Sequence, residues 1–340
     1  MMAARLLAVA AFAVLLLALA VPRAVARDYS LDDDFFIRRQ QGDDPDNGGV
    51  TKNQAFNLEV GIKVIDGNPV FLPEVVKIEL TSGGFCSGVA VATDRVLTAG
   101  HCGCAPRDSY VVRFPNEIAD NGQYGFGKPY LLAADPVLFP HYDCGTFSAQ
   151  PGRDLAILYL DRPSPVDVPP VAPMVYPFKD TAKRAFIAGY GRTEQGDYPR
   201  GLLGAFSTLQ DPFCVRGNAF GSACAMFREF VLSDLVNAAA LGTDTCDGDS
   251  GGPVYWFGVV KTKDGTEEIH RFLIGITSRA LAGVPQFGAT GCGGGGIYTA
   301  VGQVNVLVWL SQNGAPMEVG MKARRFAKRT IREWPRPPQQ

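Results

Sequence analysis

The chain lacks an excess of either charge: Lys+Arg 32 stand against Asp+Glu 34 in 340 residues. That excludes a nucleic-acid binder held by a basic surface. Charged residues are only 19% of the chain and apolar residues 46%, which excludes a disordered polyelectrolyte. Phosphate-binding P-loops, dinucleotide fingerprints and EF-hand runs are absent. There is no internal sequence repeat, and beyond Val21 no apolar run is long enough to span a bilayer. Structural zinc is disfavoured, because Cys102-Gly-Cys104 is too tight a spacing and no second Cys-x-x-Cys exists. Histidine is scarce, with only His101, His141 and His270.

What is abundant is glycine and proline. Gly 39 and Pro 24 make up nearly a fifth of the chain, against about 12% in an average domain. Turns are therefore frequent, and β architecture is expected over a helical bundle. Val75–Leu80, Phe85–Val91, Leu155–Leu160, Ala185–Ala188 and Phe272–Ile276 read as short strands bounded by turn residues. Their spacing suggests an all-β sandwich or barrel. One helix is predicted over Val301–Asn313, stopped by Gly314 and Pro316.

The ends differ from the middle. Arg5, the apolar run Leu6–Val21, Pro22 and the small-residue site Ala24-Val25-Ala26 make a signal-peptide pattern over residues 1–26. An uncleaved anchor is the competing reading, but the run is shorter than the roughly 20 residues a spanning helix needs. Export, to an extracellular or periplasmic space, is expected. Residues 27–63 are acidic, with Asp32-Asp33-Asp34 and Asp43-Asp44-Pro45-Asp46, and read as a solvated leader. Residues 315–340 form a basic tail carrying Lys322, Arg324, Arg325, Lys328, Arg329, Arg332 and Arg336. In an exported protein the eight cysteines are expected to pair.

Three segments carry chemistry: Leu97-Thr-Ala-Gly-His101-Cys102, Arg153-Asp154 leading into Leu155–Leu160, and Cys246-Asp-Gly-Asp249-Ser250-Gly-Gly-Pro253. A serine between glycines sits on a tight turn, where backbone N–H groups can converge on a developing oxyanion. Gly248 and Ser250 are the natural donors. Serine needs a base within reach, and His101, between an apolar run and a cysteine, suits that role best. The base needs a carboxylate to orient it. Asp154, at the start of an apolar run, would be buried and would need a donor such as a histidine N–H. Each segment alone has a bland reading: a glycine-rich turn, a surface histidine, a turn aspartate. Together they stand in the order His101, Asp154, Ser250, the chain order of the chymotrypsin-type arrangement of base, orienting acid and nucleophile.

These motifs resemble the chymotrypsin/trypsin family of serine endopeptidases. Phe85-Cys86-Ser-Gly88, Gly189-Tyr-Gly191, Gly275-Ile-Thr-Ser278 and Gly296-Ile-Tyr298 add weaker matches, so the likeness covers about residues 64–313. The resemblance implies two six-stranded antiparallel β-barrels, about 64–175 and 176–314, with a C-terminal helix. It implies disulfides Cys86–Cys102, Cys214–Cys224 and Cys246–Cys292, leaving Cys104 and Cys144 as a fourth pair outside the usual pattern. Asp244 matches the base of the primary specificity pocket and implies cleavage after Arg or Lys; a solvated loop aspartate is the alternative. Ser278, Ala280 and Gly296 match substrate-binding positions. Lys63-Val64 resembles an activation junction, with Asp249 as the partner of a new Val64 ammonium. The alternative is that Gly61–Ile65 is the first strand of an already active enzyme.

The chain also departs from the pattern. Arg279-Ala280 replaces Trp-Gly, the loop from Ser278 to Cys292 is long, and Gly293–Gly296 is an added glycine run. Protein or peptide substrates and protein inhibitors are the implied partners of a monomer without stable membrane insertion. No cofactor or metal is expected, although Glu117, Asp120 and Asn121 cluster. An inactive binding protein on the same fold and a secreted esterase are the other classes. The esterase would want a Gly-x-Ser-x-Gly elbow with the order Ser, Asp, His.

Overall fold

The computed structural model describes residues 67–115, 125–146, 150–164, 166, 184–193, 195–215, 224–234, 243–261, 267–281 and 292–315. Residues 1–26, read as a signal peptide, residues 27–63, read as a leader, Lys63-Val64, the Glu117–Asn121 cluster and residues 316–340 of the basic tail lie outside them. No helix among the described residues is long and apolar enough to cross a membrane.

The strands are β1 Asn68–Pro69, β2 Val75–Leu80, β3 Phe85–Ala92, β4 Arg95–Thr98, β5 Tyr110–Arg113, β6 Val137–Leu138 and β7 Ala156–Tyr159. They continue with β8 Arg184–Gly189, β9 Leu203–Asp211, β10 Glu229–Leu232, β11 Pro253–Lys261, β12 Glu267–Ala280 and β13 Gly296–Ala300. Among the described residues one α-helix, α1, follows at Val304–Gln312.

Two antiparallel sheets result. The first runs β5-β2-β3-β4-β7-β6, and isolated bridges Val112↔Tyr130 and Leu132↔Leu160 connect its β5 and β7 sides. The second runs β1-β9-β10-β13-β12-β11-β8, and an additional β8–β9 pairing closes it into a barrel of six strands with β1 on its outside. Thus β1 belongs to the second sheet although it precedes the first in sequence: Val70 N–H donates to Leu202 O at 3.1 Å.

Several strands are buried on both faces, so adjacent residues as well as alternate ones enter the interior. Val75, Val76, Ile78, Val89, Leu97, Ile157 and Leu158 are fully buried in the first sheet. Each such side chain contributes about 1.5–3 kcal/mol by leaving water. The main core also includes Tyr190 just after β8, Tyr255 and Ile276 of the second sheet and Trp309 of α1, so one apolar mass spans both. A polar tie crosses it: fully buried Glu74, just before β2, accepts from Tyr255 OH at 2.9 Å and from Arg271 Nη2 at 3.0 Å.

The helix starts later than its apolar pattern predicts. Val301 N–H is taken by Ile274 O at 3.1 Å, which holds that residue to the sheet, and Gln303 is still extended at ψ 145. Its end matches the glycine stop: Gly314 takes φ +76, and Ala315 N–H returns to Leu310 O at 3.0 Å. Disulfides Cys86–Cys102, Cys104–Cys144, Cys214–Cys224 and Cys246–Cys292 form. By constraining the unfolded chain each typically contributes about 2–4 kcal/mol.

Candidate active site

His101 lies in a 3-10 turn, Gly100–Gly103, that directly follows β4. Cys102 of that turn is bonded to Cys86 on β3, so the turn is stapled to the neighbouring strand. Gly100 leaves no room for a side chain: a Cβ there would come within 2.9 Å of the Tyr142 ring.

Asp154 stands just before β7 and is fully buried. Its Oδ1 accepts from His101 N–H at 2.9 Å, and its Oδ2 lies 2.9 Å from His101 Nδ1. Both atoms nearest Nδ1 are carboxylate oxygens, at 2.9 and 3.1 Å, so Nδ1 carries the proton and Nε2 keeps a lone pair. Ser278 Oγ donates to Asp154 Oδ2 at 2.6 Å. The Tyr142 hydroxyl also bonds to Asp154; burial first, then that negative charge, push its pKa well above the ordinary tyrosine value. A carboxylate with this many donors meets the condition for a buried charge.

Ser250 sits on the turn leading into β11, and that turn is tied down on every side. Ser87 N–H donates to Ser250 O at 2.8 Å, Ser87 Oγ donates to Gly248 O at 2.9 Å, and Gly251 N–H donates to Thr277 O at 2.8 Å. Ser250 O also lies 3.7 Å from Cys102 Sγ, beside His101. Gly251 takes φ +81, and any Cβ there would collide with Thr98 Oγ1. Close approach of the Ser250 turn to the strand carrying the His101 turn therefore requires glycine at 251. Gly248 takes φ +96, the left-handed region. Among the described residues, neither Gly248 N–H nor Ser250 N–H has an acceptor. Ser250 and the His101 imidazole are both part-exposed.

Asp249 is fully buried behind this turn, its oxygens accepting from Gly191 N–H at 2.7 Å and Cys246 N–H at 2.9 Å. Burial pushes its carboxyl up to about 7, those two N–H groups pull against the rise, and the negative charges of Asp244 and Asp247 add to it. Among the described residues it has no cationic partner.

Asp244 is also buried. Its Oδ1 accepts from Thr245 N–H at 2.7 Å, and its Oδ2 accepts from Gly293 and Gly295 N–H at 3.0 Å each. Burial pushes it up to about 6, and these backbone donors oppose the rise. The backbone of the glycine run thus turns in on the carboxylate. Gly295 takes φ +105, and a Cβ there would come within 2.6 Å of Leu232 O. Tyr298 OH and Thr245 Oγ1, 3.2 Å apart, adjoin this site, and a Cβ on Gly296 would lie 2.9 Å from Tyr298 OH.

On β12, the register with β13 steps from Thr277 to Arg279, leaving Ser278 without a backbone partner on that strand. Ala280 pairs with Gly296 and is exposed. Arg279 does not reach outward as its replacement of an aromatic residue suggests. It turns in on buried Glu229 of β10, with Nη1–Oε1 2.7 Å and Nη2–Oε2 2.9 Å. The other histidines lie apart from these groups in sequence and element: His141 in a turn at φ 65, His270 within β12.

The structure therefore gathers His101, Asp154 and Ser278 by direct bonds and ties the Ser250 turn to the strands bearing them. Sequence reasoning missed the Ser278 hydroxyl, the Tyr142 contact and Glu229. The pleat sends the Ser278 side chain to Asp154, which only the pairing of β12 reveals; neither Tyr142 nor Glu229 carries a local motif.

Fold and site define a class, the two-barrel serine proteases. The chain belongs to the trypsin family: the family model Trypsin matches residues 64–309. It is similar to coagulation factor XII of Bos taurus, 32% identical over 252 residues, covering 68% of this chain and 36% of that protein. It is similar to serine protease ea of Drosophila melanogaster, 28% identical over 287 residues, covering 75% of this chain and 67% of that protein. Trypsin of Saccharopolyspora erythraea is 29% identical over 201 residues, covering 57% and 74% respectively. The match thus spans little more than a third of the bovine protein.

Proposed function

We propose that the chain is a secreted serine endopeptidase that cleaves after Arg or Lys through an acyl-enzyme and is made as a precursor. The observation that carries this reading is the buried Asp154 carboxylate holding His101 by both its backbone and its ring. In this account residues 1–26 are a signal peptide, 27–63 a propeptide, 64–314 the protease domain and 315–340 a basic tail.

Ser250 Oγ attacks the peptide carbonyl carbon. The Nε2 lone pair of His101 takes the hydroxyl proton as the C–O bond forms. The carbonyl electron pair moves onto oxygen, where Gly248 and Ser250 N–H receive it; loss of one such donor typically costs about 2.7–4 kcal/mol of barrier. His101 then gives its proton to the leaving nitrogen, the C–N bond breaks, and the acyl group stays on Ser250. Water, deprotonated by His101, releases it. Asp154 holds the tautomer and stabilises the imidazolium. The unpaired Ser278 backbone is placed to receive the substrate backbone, while Ala280, Gly296 and Asp244 line the pocket for the basic side chain.

Activation follows from Asp249. A carboxyl raised to about 7 by burial would be held ionised by an ammonium brought beside it. Cutting after Lys63 would supply Val64 N for that purpose and order the Ser250 turn.

The test uses the exported protein, with its N-terminus sequenced before and after brief trypsin treatment. Each form is assayed on amides bearing Arg, Lys, Phe or Ala before the bond. Turnover of Arg and Lys amides is expected to rise by about 10³-fold or more when Val64 becomes the first residue. Equal activity with the leader intact would defeat the precursor account. A Val64 form that turns over no amide would bring the inactive binding protein forward.

A further inference from the structure

We propose that Glu229 and Arg279 are positioning residues for Asp154. The pair forms a buried strut that reaches that carboxylate by two routes, and the proposal rests on the triad reading above.

The first route is along the backbone. Glu229 Oε1 accepts from Gly152 N–H at 2.8 Å, two residues before Asp154. Gly152 takes φ +68, and a Cβ there would come within 2.6 Å of Arg228 Cβ, so the segment entering Asp154 is clamped against the start of β10. Glu229 Oε2 accepts from Ala225 N–H at 2.7 Å, which fixes the other side of the carboxylate.

The second route is polar. The Arg279 guanidinium grips both oxygens of Glu229 in a two-pronged pair. Its Nη1 also lies 3.3 Å from Ser278 Oγ, which donates to Asp154 Oδ2 at 2.6 Å. The Ser278 hydroxyl has one proton. With Arg279 donating to its oxygen, the hydroxyl gives that proton to Asp154. Every donor in the chain Arg279, Ser278, Asp154 therefore points one way, and His101 Nδ1 meets the same carboxylate from the other side.

Glu229 is fully buried and the Arg279 side chain is only 20% exposed. A buried ion pair contributes little net stability over apolar residues of the same volume. The effect assigned here is registry: two carboxylate oxygens fix one guanidinium, one loop amide and, through Ser278, the orientation of the acid that orients the base. The arginine that stands in place of an aromatic residue thus adds a support beneath Asp154.

The test compares the activated full chain with Arg279→Met, Arg279→Lys, Ser278→Ala and the double variant Arg279→Met/Ser278→Ala. Active sites are counted by burst titration, so misfolded protein drops out of kcat. Two substrates are used: an acyl-arginine ester with no residues before the arginine, and a four-residue peptide amide. For Arg279→Met, kcat on the short ester is expected to fall about 10- to 100-fold, the scale of a small misplacement of reacting groups. KM should stay within about threefold, since the ester does not reach Arg279, and Arg279→Lys should recover part of the loss. In the Ser278→Ala background the same change should cost less than in the parent, because the route through Ser278 is already gone and only that through Glu229 and Gly152 remains. A loss confined to the peptide would make Arg279 a subsite wall and overturn the proposal, as would an undiminished loss without Ser278. A wild-type chain that turns over neither substrate would instead defeat the endopeptidase reading.

Discussion

Replacing Ser250 by alanine is expected to lower kcat for an arginine amide by about 10⁵- to 10⁶-fold. The size follows from the chemistry: without Oγ no acyl-enzyme forms, and only a solvent attack assisted by the Gly248 and Ser250 N–H groups remains. Replacing His101 by alanine should cost nearly as much, because a serine without a base is a poor nucleophile at neutral pH. The double variant should be no worse than either single one within about tenfold, since the two act as a unit. The fold should hardly change. Ser250 is anchored through its backbone carbonyl to Ser87 and not through its hydroxyl, and His101 is part-exposed. A second, additive loss in the double variant would mean that one of the two acts outside the pair.

Removal of the Asp244 charge is expected to have the next largest effect. Asp244→Ser should lower kcat/KM for Arg and Lys amides by about 10³- to 10⁴-fold and leave an uncharged aliphatic amide within about tenfold. On the proposed reading the buried carboxylate, held in place by Thr245, Gly293 and Gly295 N–H, is the counter-charge for the basic side chain, which without it is left unpaired. The same group sets a pH dependence. Its carboxyl is raised by burial to about 6, so it gains a proton, and loses its charge, as pH falls through that value. The ratio of kcat/KM for an Arg amide to that for an uncharged amide should therefore drop below about pH 6. The ratio matters because any change common to both substrates cancels in it. A ratio independent of pH between 4.5 and 8 would remove Asp244 from the pocket.

Much of the fold and of the site is legible in the amino-acid sequence. Val75–Leu80 and Phe85–Val91 alternate or run apolar on either side of Gly83-Gly84, and they form β2 and β3. The motifs around His101, Asp154 and Ser250 are local, because a tight turn and a buried acid each need particular neighbours along the chain. Other features escape sequence reading because they depend on which strands meet. The Ser278 hydroxyl serves Asp154, 124 residues away in sequence. Arg279 finds Glu229 across 50 residues, and Gly295 finds Asp244 across 51. A charged residue in place of an aromatic one reads as an outward change until β10 is seen to carry an acid behind it. The late start of α1 has the same origin, since the Ile274 carbonyl claims Val301 from another strand.

The most direct measurement is covalent labelling of the Val64 form with a serine-directed phosphonate, followed by peptide mass mapping and residual activity. The account predicts a single adduct on Ser250, loss of amidase activity in step with its formation, and no labelling of the His101→Ala variant. An adduct on another residue, or full activity in protein whose Ser250 is blocked, would contradict it.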